Sequence, residues 1–77
     1  MKILYFARLR EVFGESEQLS GMPDAASLVA HLRARGGKWE EALSGPFRIA
    51  VNQELAGMDA RLAEDDEVAL FPPVTGG

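Results

Sequence analysis

The chain predicts a small α+β fold, a mixed sheet packed on one main helix. Three observations carry that reading. Apolar strand-like runs stand at both ends, Lys2 to Leu9 and Val68 to Phe71. One amphipathic stretch, Ser27 to about Arg35, has the length of a helix. Between them, Phe47, Ile49 and Val51 alternate with Arg48, Ala50 and Asn52, the pattern of a half-buried strand.

Composition narrows the function classes. With 77 residues there is room for one domain, and a chain of that size buries only about 60% of its unfolded surface, so the core must be economical. Hydrophobic residues at 47% and charged residues at 26% are those of a folded globular chain rather than a disordered one. Cysteine is absent, which excludes disulfides, thiolate metal sites and a cysteine nucleophile. The net charge of −4 argues against nucleic acid, because phosphate binding needs clustered Lys and Arg. No apolar run has the length of a membrane helix or a signal segment, so a cytoplasmic location is expected and no membrane partner.

In the first strand Ile3, Tyr5 and Ala7 fall on one face and Leu4 and Phe6 on the other. Both faces are apolar, so the second is either buried or a partner surface. Arg8 to Gly14 changes period and reads as a short helical turn or wide loop, and Glu15 to Ser20 as a weak, polar second strand with Leu19 as its inward residue. Asp24 or Ser27 caps the main helix, whose apolar stripe holds Leu28 and Leu32 and which stops at Gly36-Gly37. Lys38 to Ser44 makes a second short helix in which Trp39 covers the core. Glu54 to Ala56 returns as a short strand. The final strand points Val68 and Leu70 inward and Ala69 and Phe71 outward.

Two features invite chemistry and carry little. His31, the only histidine, flanks the apolar stripe with no second ligand beside it. The acidic run Glu64-Asp65-Asp66-Glu67 lacks the interposed glycine and spacing of a calcium loop and reads as a solvated turn. What remains is the end, Phe71-Pro72-Pro73-Val74-Thr75-Gly76-Gly77. Its prolines favour an extended path, and its glycines have no side chain to obstruct a narrow opening. The chain divides on this reading into a domain, residues 1–71, and a tail, residues 72–77.

Tyr5-Phe6-Ala7-Arg8-Leu9-Arg10-Glu11, Ala50-Val51-Asn52-Gln53 and Asp66 through Gly77 together resemble the small sulfur-carrier subunits of molybdopterin synthase, over the whole chain. The resemblance implies a ubiquitin-like β-grasp fold with an extended C-terminal Gly-Gly tail. It also implies that the Gly77 carboxylate is adenylated by an E1-like adenylyltransferase, converted to a thiocarboxylate with sulfur from a sulfur-donating enzyme, and inserted into the large synthase subunit. There it would donate sulfur to cyclic pyranopterin monophosphate, within a heterotetramer. Gly76 would supply the slim approach, and Phe6, Leu55, Phe71, Pro72, Pro73, Val74 and Thr75 would bind partners, with no separate chemistry assigned to Thr75. No cofactor is expected on this chain, ATP being used by the activating enzyme. The same tail chemistry leaves open a carrier for thiamine or tRNA thiolation and a ubiquitin-like protein modifier. A non-catalytic interaction domain that uses the Phe6 and Phe71 face also remains open.

Overall fold

A computed structural model describes residues 1–73. The elements run β1 (Lys2–Tyr5), α1 (Ala7–Phe13), β2 (Ser16–Gln18), α2 (Ala25–Arg33), α3 (Lys38–Ser44), β3 (Arg48–Val51), β4 (Glu54–Ala56) and β5 (Glu67–Phe71). The strands form one mixed sheet in the order β2-β1-β5-β3-β4. The two most apolar strands, β1 and β5, lie side by side and parallel, from Lys2 opposite Glu67 to Tyr5 opposite Leu70. The other strand pairs are antiparallel.

One face of the sheet builds the core. Ile3, Tyr5, Val68, Leu70 and Ile49 point inward and cluster with Ala25, Leu28 and Leu32 of α2 and with Leu43 of α3. The spacing of four between Leu28 and Leu32 puts both on the buried stripe of α2. The Asp24 carboxylate caps that helix by accepting the Ser27 N–H at 2.8 Å. The helix therefore begins at Ala25, two residues before the expected start.

The passage after β1 differs from the sequence expectation. The strand stops at Tyr5, and Phe6, still extended, becomes the N-cap of α1, its carbonyl accepting from Leu9 and Arg10. Ala7 leaves the strand with φ 52° and begins a two-turn helix. It is exposed rather than inward with Ile3 and Tyr5. What the helix gains is the burial of Leu9 and the packing of Phe13, four residues on, against the core. An alternating-strand reading of Ala7 and Leu9 misses this.

The second strand is shorter than expected, and Leu19 packs inward against the core as expected. Leu19 lies just past the strand's end, and within the strand the inward residue is Glu17, opposite Ile3. A carboxylate is tolerated there because it is matched: Glu17 accepts the Tyr5 hydroxyl at 2.6 Å and holds the Arg35 guanidinium through two contacts of 2.9 Å. The Arg35 guanidinium lies 4.4 Å from the centre of the Trp39 ring, and Trp39 stacks on Phe13 at 3.9 Å with planes 2° apart. Trp39 thus covers the core edge. Gly36 and Gly37, at φ 73° and 54°, make the left-handed link between α2 and α3 that a side chain would strain.

Candidate functional site

The opposite face of the sheet has no helix on it among the elements described. Strand registers assemble it in rows. Ser16, Leu4, Ala69, Ala50 and Leu55 lie across the five strands in succession. One step further along β1 and β5, Phe6 meets Phe71, and Phe71 stands opposite Arg48 of β3. The Phe6 N–H donates to the Leu70 carbonyl at 3.1 Å and continues the β1–β5 pairing by one residue. Phe6 is therefore held by backbone geometry, with its side chain 45% exposed.

The face is flat at its centre, where Ala69 and Ala50 have only methyl groups, and raised at its margins by Phe6, Phe71 and Leu55. Leu55 is 71% exposed, a large uncompensated apolar area on the edge strand β4. Met58, 40% exposed, follows β4, and its carbonyl accepts the Ala26 N–H at the start of α2. Nothing in the sequence alone marks Met58, because its loop has no periodicity from which a direction could be read.

The expected site residues fall into two groups. Phe6, Leu55 and Phe71 belong to this one face, and β5 ends at Phe71, where the half-buried Pro72 and Pro73 lead away. Val74, Thr75, Gly76 and Gly77 lie outside the described residues. The exit point is fixed all the same: β5, from which residues 72 and 73 depart, is the central strand, with two strands on either side of it.

Charges separate along the strands. The acidic turn sits at the opposite end of β5 from the tail and is bound up in local structure. Asp66 accepts the Ala63 N–H at 2.8 Å and the Asn52 side-chain N–H at 3.1 Å, and the first of these chiefly holds its carboxyl below the ordinary range. Glu64 accepts the Gly21 N–H at 3.1 Å. Among the described residues, no group of three or more His, Cys, Asp or Glu is arranged to hold a metal ion. His31 is exposed on α2. No helix is long and apolar enough to cross a membrane among the described residues.

The sequence model of the ThiS family matches residues 3–77. The chain belongs to the ThiS family. It is 42% identical over 80 aligned residues to the molybdopterin synthase sulfur carrier subunit of Escherichia coli K12, covering 100% of this chain and 99% of that protein. It is 39% identical to the subunit of the same name from Haemophilus influenzae, with the same coverage. Among solved structures, it superimposes with a TM-score of 0.72 and 25% identity on a chain of the complex of subunits 1 and 2 of molybdopterin-converting factor from Helicobacter pylori 26695, covering 99% of this chain and 96% of that one. The small archaeal modifier protein 1 of Methanosarcina acetivorans matches with a TM-score of 0.76 and 26% identity, over 99% of this chain and 94% of that one. The architecture of this ThiS-family chain is thus the ubiquitin-like β-grasp expected from its sequence.

Proposed function

We propose that the chain is a sulfur carrier for molybdenum cofactor biosynthesis, delivering sulfur as a thiocarboxylate on Gly77. The observation that carries the reading is the exit of the tail beside Phe6 and Phe71, on a sheet face that its own fold leaves open. Full-length relatives named as molybdopterin synthase sulfur carrier subunits support it. So does a structural neighbour solved as a complex of two subunits of a molybdopterin-converting factor.

The chemistry follows from the end group. A C-terminal carboxylate has a pKa near 3.3–3.7, so at neutral pH it is an anion and a poor electrophile. Attack on the α-phosphorus of ATP, on an E1-like adenylyltransferase, releases pyrophosphate and leaves an acyl-adenylate with AMP as leaving group. A persulfide on a donor enzyme attacks the acyl carbon and displaces AMP, and a thiol then cleaves the acyl disulfide, leaving the thiocarboxylate and a disulfide. The thiocarboxylate sulfur attacks a side-chain carbon of the pterin precursor in the large subunit and displaces an oxygen there; hydrolysis of the resulting thioester frees one dithiolene sulfur and restores the carboxylate, so each dithiolene consumes two charged carriers. The chain supplies no acid, base or metal to these steps; it supplies the end group and the surface that aims it. Two carriers on a dimer of large subunits form the working heterotetramer, in the cytoplasm.

The test is to incubate the protein with ATP, its activating enzyme and a sulfur source, record the intact mass, then add the large subunit and cyclic pyranopterin monophosphate. The expected result is exchange of one oxygen for sulfur at the C-terminus, followed by formation of dithiolene and return to the original mass. A mass that never changes overturns the carrier reading. The likeness to a small archaeal modifier protein favours a second reading, conjugation through the same Gly-Gly end. A thiocarboxylate that yields no dithiolene but becomes bonded to lysines of other proteins would establish it.

A further inference from the structure

The open face carries one charge that the fold leaves unmatched. Arg48 is exposed on β3, in register with Phe71 at the point where the tail departs. Arg10, Arg33 and Arg35 are paired, with Glu15 at 3.9 Å, Glu40 at 3.1 Å and Glu17 at 2.9 Å, whereas Arg8 on α1, Lys38 on α3 and Arg61 beside Asp24 have no ion pair among the described residues but do not belong to the open face. Lys2 faces Glu67 across β1 and β5. Arg48 has no hydrogen bond or ion pair among the described residues. Its neighbour on β5 is aromatic, and the β4 side continues from Ala56 to Gly57, beside which the Asp59 carboxylate stands without coming within ion-pair distance of Arg48. The nearest acid on β5 is Glu67, four residues back and about 13 Å along the strand at about 3.3 Å per residue.

A partner that closes over Phe6 and Phe71 also takes the neighbouring guanidinium out of water. Desolvating an unpaired cation costs several kcal/mol, which would cancel much of what the apolar contact contributes. The cost disappears when the covering surface presents a carboxylate, which a guanidinium holds in a two-pronged geometry that few other groups can match. We infer that Arg48 is a specificity-determining docking residue, which receives an Asp or Glu carboxylate of the protein that accepts the tail. It makes the apolar patch selective: a partner with only a greasy surface is rejected at the margin where the tail enters. The inference rests on the reading of this face as the docking surface for the large synthase subunit.

The test compares binding of the cognate large subunit to the natural chain and to Arg48→Leu, Arg48→Glu and Phe6→Ser, at low and high salt. Circular dichroism verifies that each variant is folded. Leucine is the informative change, because it would improve a purely apolar contact. The expected result is a loss of about 30-fold or more for Arg48→Leu, a greater loss for Arg48→Glu, and a weaker salt dependence for both than for the natural chain. Arg48→Leu binding as tightly as the natural chain or more tightly overturns the inference, while a loss in Phe6→Ser alone would still leave the docking face standing. If Phe6→Ser also binds normally, the docking reading and the inference fail together.

Discussion

Leu70 and Phe71 are neighbours in one strand, equally apolar, and belong to opposite halves of the molecule's work. Leu70 is fully buried against the core that α2 closes; Phe71 points the other way, beside Phe6 and Arg48, on a face without a helix. The sheet is therefore apolar on two sides for two reasons. One side is spent on folding, and the other is kept for a second protein. In a chain this short, with little core to spare, leaving Phe6 and Leu55 uncovered makes sense only if their burial is completed elsewhere.

The largest effect should come from exchanging the two neighbours for alanine. Leu70→Ala opens a cavity in the core and should cost about 3 kcal/mol. For a domain of this size that lowers the thermal midpoint by about 12–24 °C, with affinity for the large subunit retained in the cold where the variant is still folded. Phe71→Ala should do the reverse. Truncating an aromatic anchor at the centre of an interface costs about 2 kcal/mol of binding, while the half-exposed site makes the stability loss the smaller of the two. Equal losses of midpoint for both variants, read by thermal unfolding, would break the division of the sheet into a folding face and a docking face.

A smaller effect tests how the inner face is closed at its β2 edge. Glu17 is the polar residue among the inward positions there, and the Arg35 guanidinium holds its carboxyl below the ordinary 4.5, against the opposing effect of burial. The Tyr5 hydroxyl is pushed upward, first by burial and then by its bond to Glu17, so it stays a donor at any physiological pH. A carboxyl lowered in the folded state stabilises fully above its ordinary value. That contribution is lost as the pH falls from 4.5 through the lower folded value. Glu17→Gln keeps an acceptor for Tyr5 and loses the ion pair, so it should cost about 1 kcal/mol at pH 7 after allowing for solvent screening. It should also make the fall in midpoint below pH 4.5 shallower than in the natural chain. Asp24, Glu40 and Asp66 are lowered as well, so the acid slope should shrink rather than vanish. An unchanged slope would show that the Glu17 pair contributes nothing to closing the core.

What the sequence discloses follows the range of each interaction. β3 and β5 are legible because period-two alternation of Ile49 and Val51, and of Val68 and Leu70, is a local consequence of a half-buried sheet. The short helix Lys38–Ser44 is legible because glycines and a Gly-Pro pair bracket it. α1 is legible only in part, as a short helical turn or wide loop over Arg8 to Gly14, since its start depends on Ala7 entering the left-handed region, for which alanine has no preference. Glu17 reads as a solvent-facing acid until Arg35, eighteen residues on, is brought to it. The same limit hides the docking margin. Phe6 and Phe71 are each visible as outward aromatics, but their adjacency, and that of Arg48, exists only once β1 and β3 flank β5. The Gly-Gly end is legible through family resemblance, as a motif rather than as geometry.

The smallest effect concerns the hairpin that presents Leu55. β3 and β4 are joined by Asn52 and Gln53, both at positive φ, 51° and 70°, as a tight two-residue turn requires. Asn52 suits its place twice over: asparagine tolerates the left-handed region, and its side chain accepts the Glu67 N–H and donates to Asp66, each at 3.1 Å. Gln53 has no such compensation among the described residues. A left-handed conformation costs a residue with a Cβ about 1–2 kcal/mol, and glycine, which escapes it, gives back about 0.4–1 kcal/mol through the freedom of the unfolded chain. Gln53→Gly should therefore stabilise the domain by about 0.5–1 kcal/mol and raise the midpoint by about 2–8 °C. Because the turn only positions β4, affinity for the large subunit should stay within about twofold, well under the 1.4 kcal/mol that marks a tenfold change. A gain in stability with a loss of binding would mean that the strained turn itself touches the partner, and the docking face would then extend past Leu55 to the tip of the hairpin.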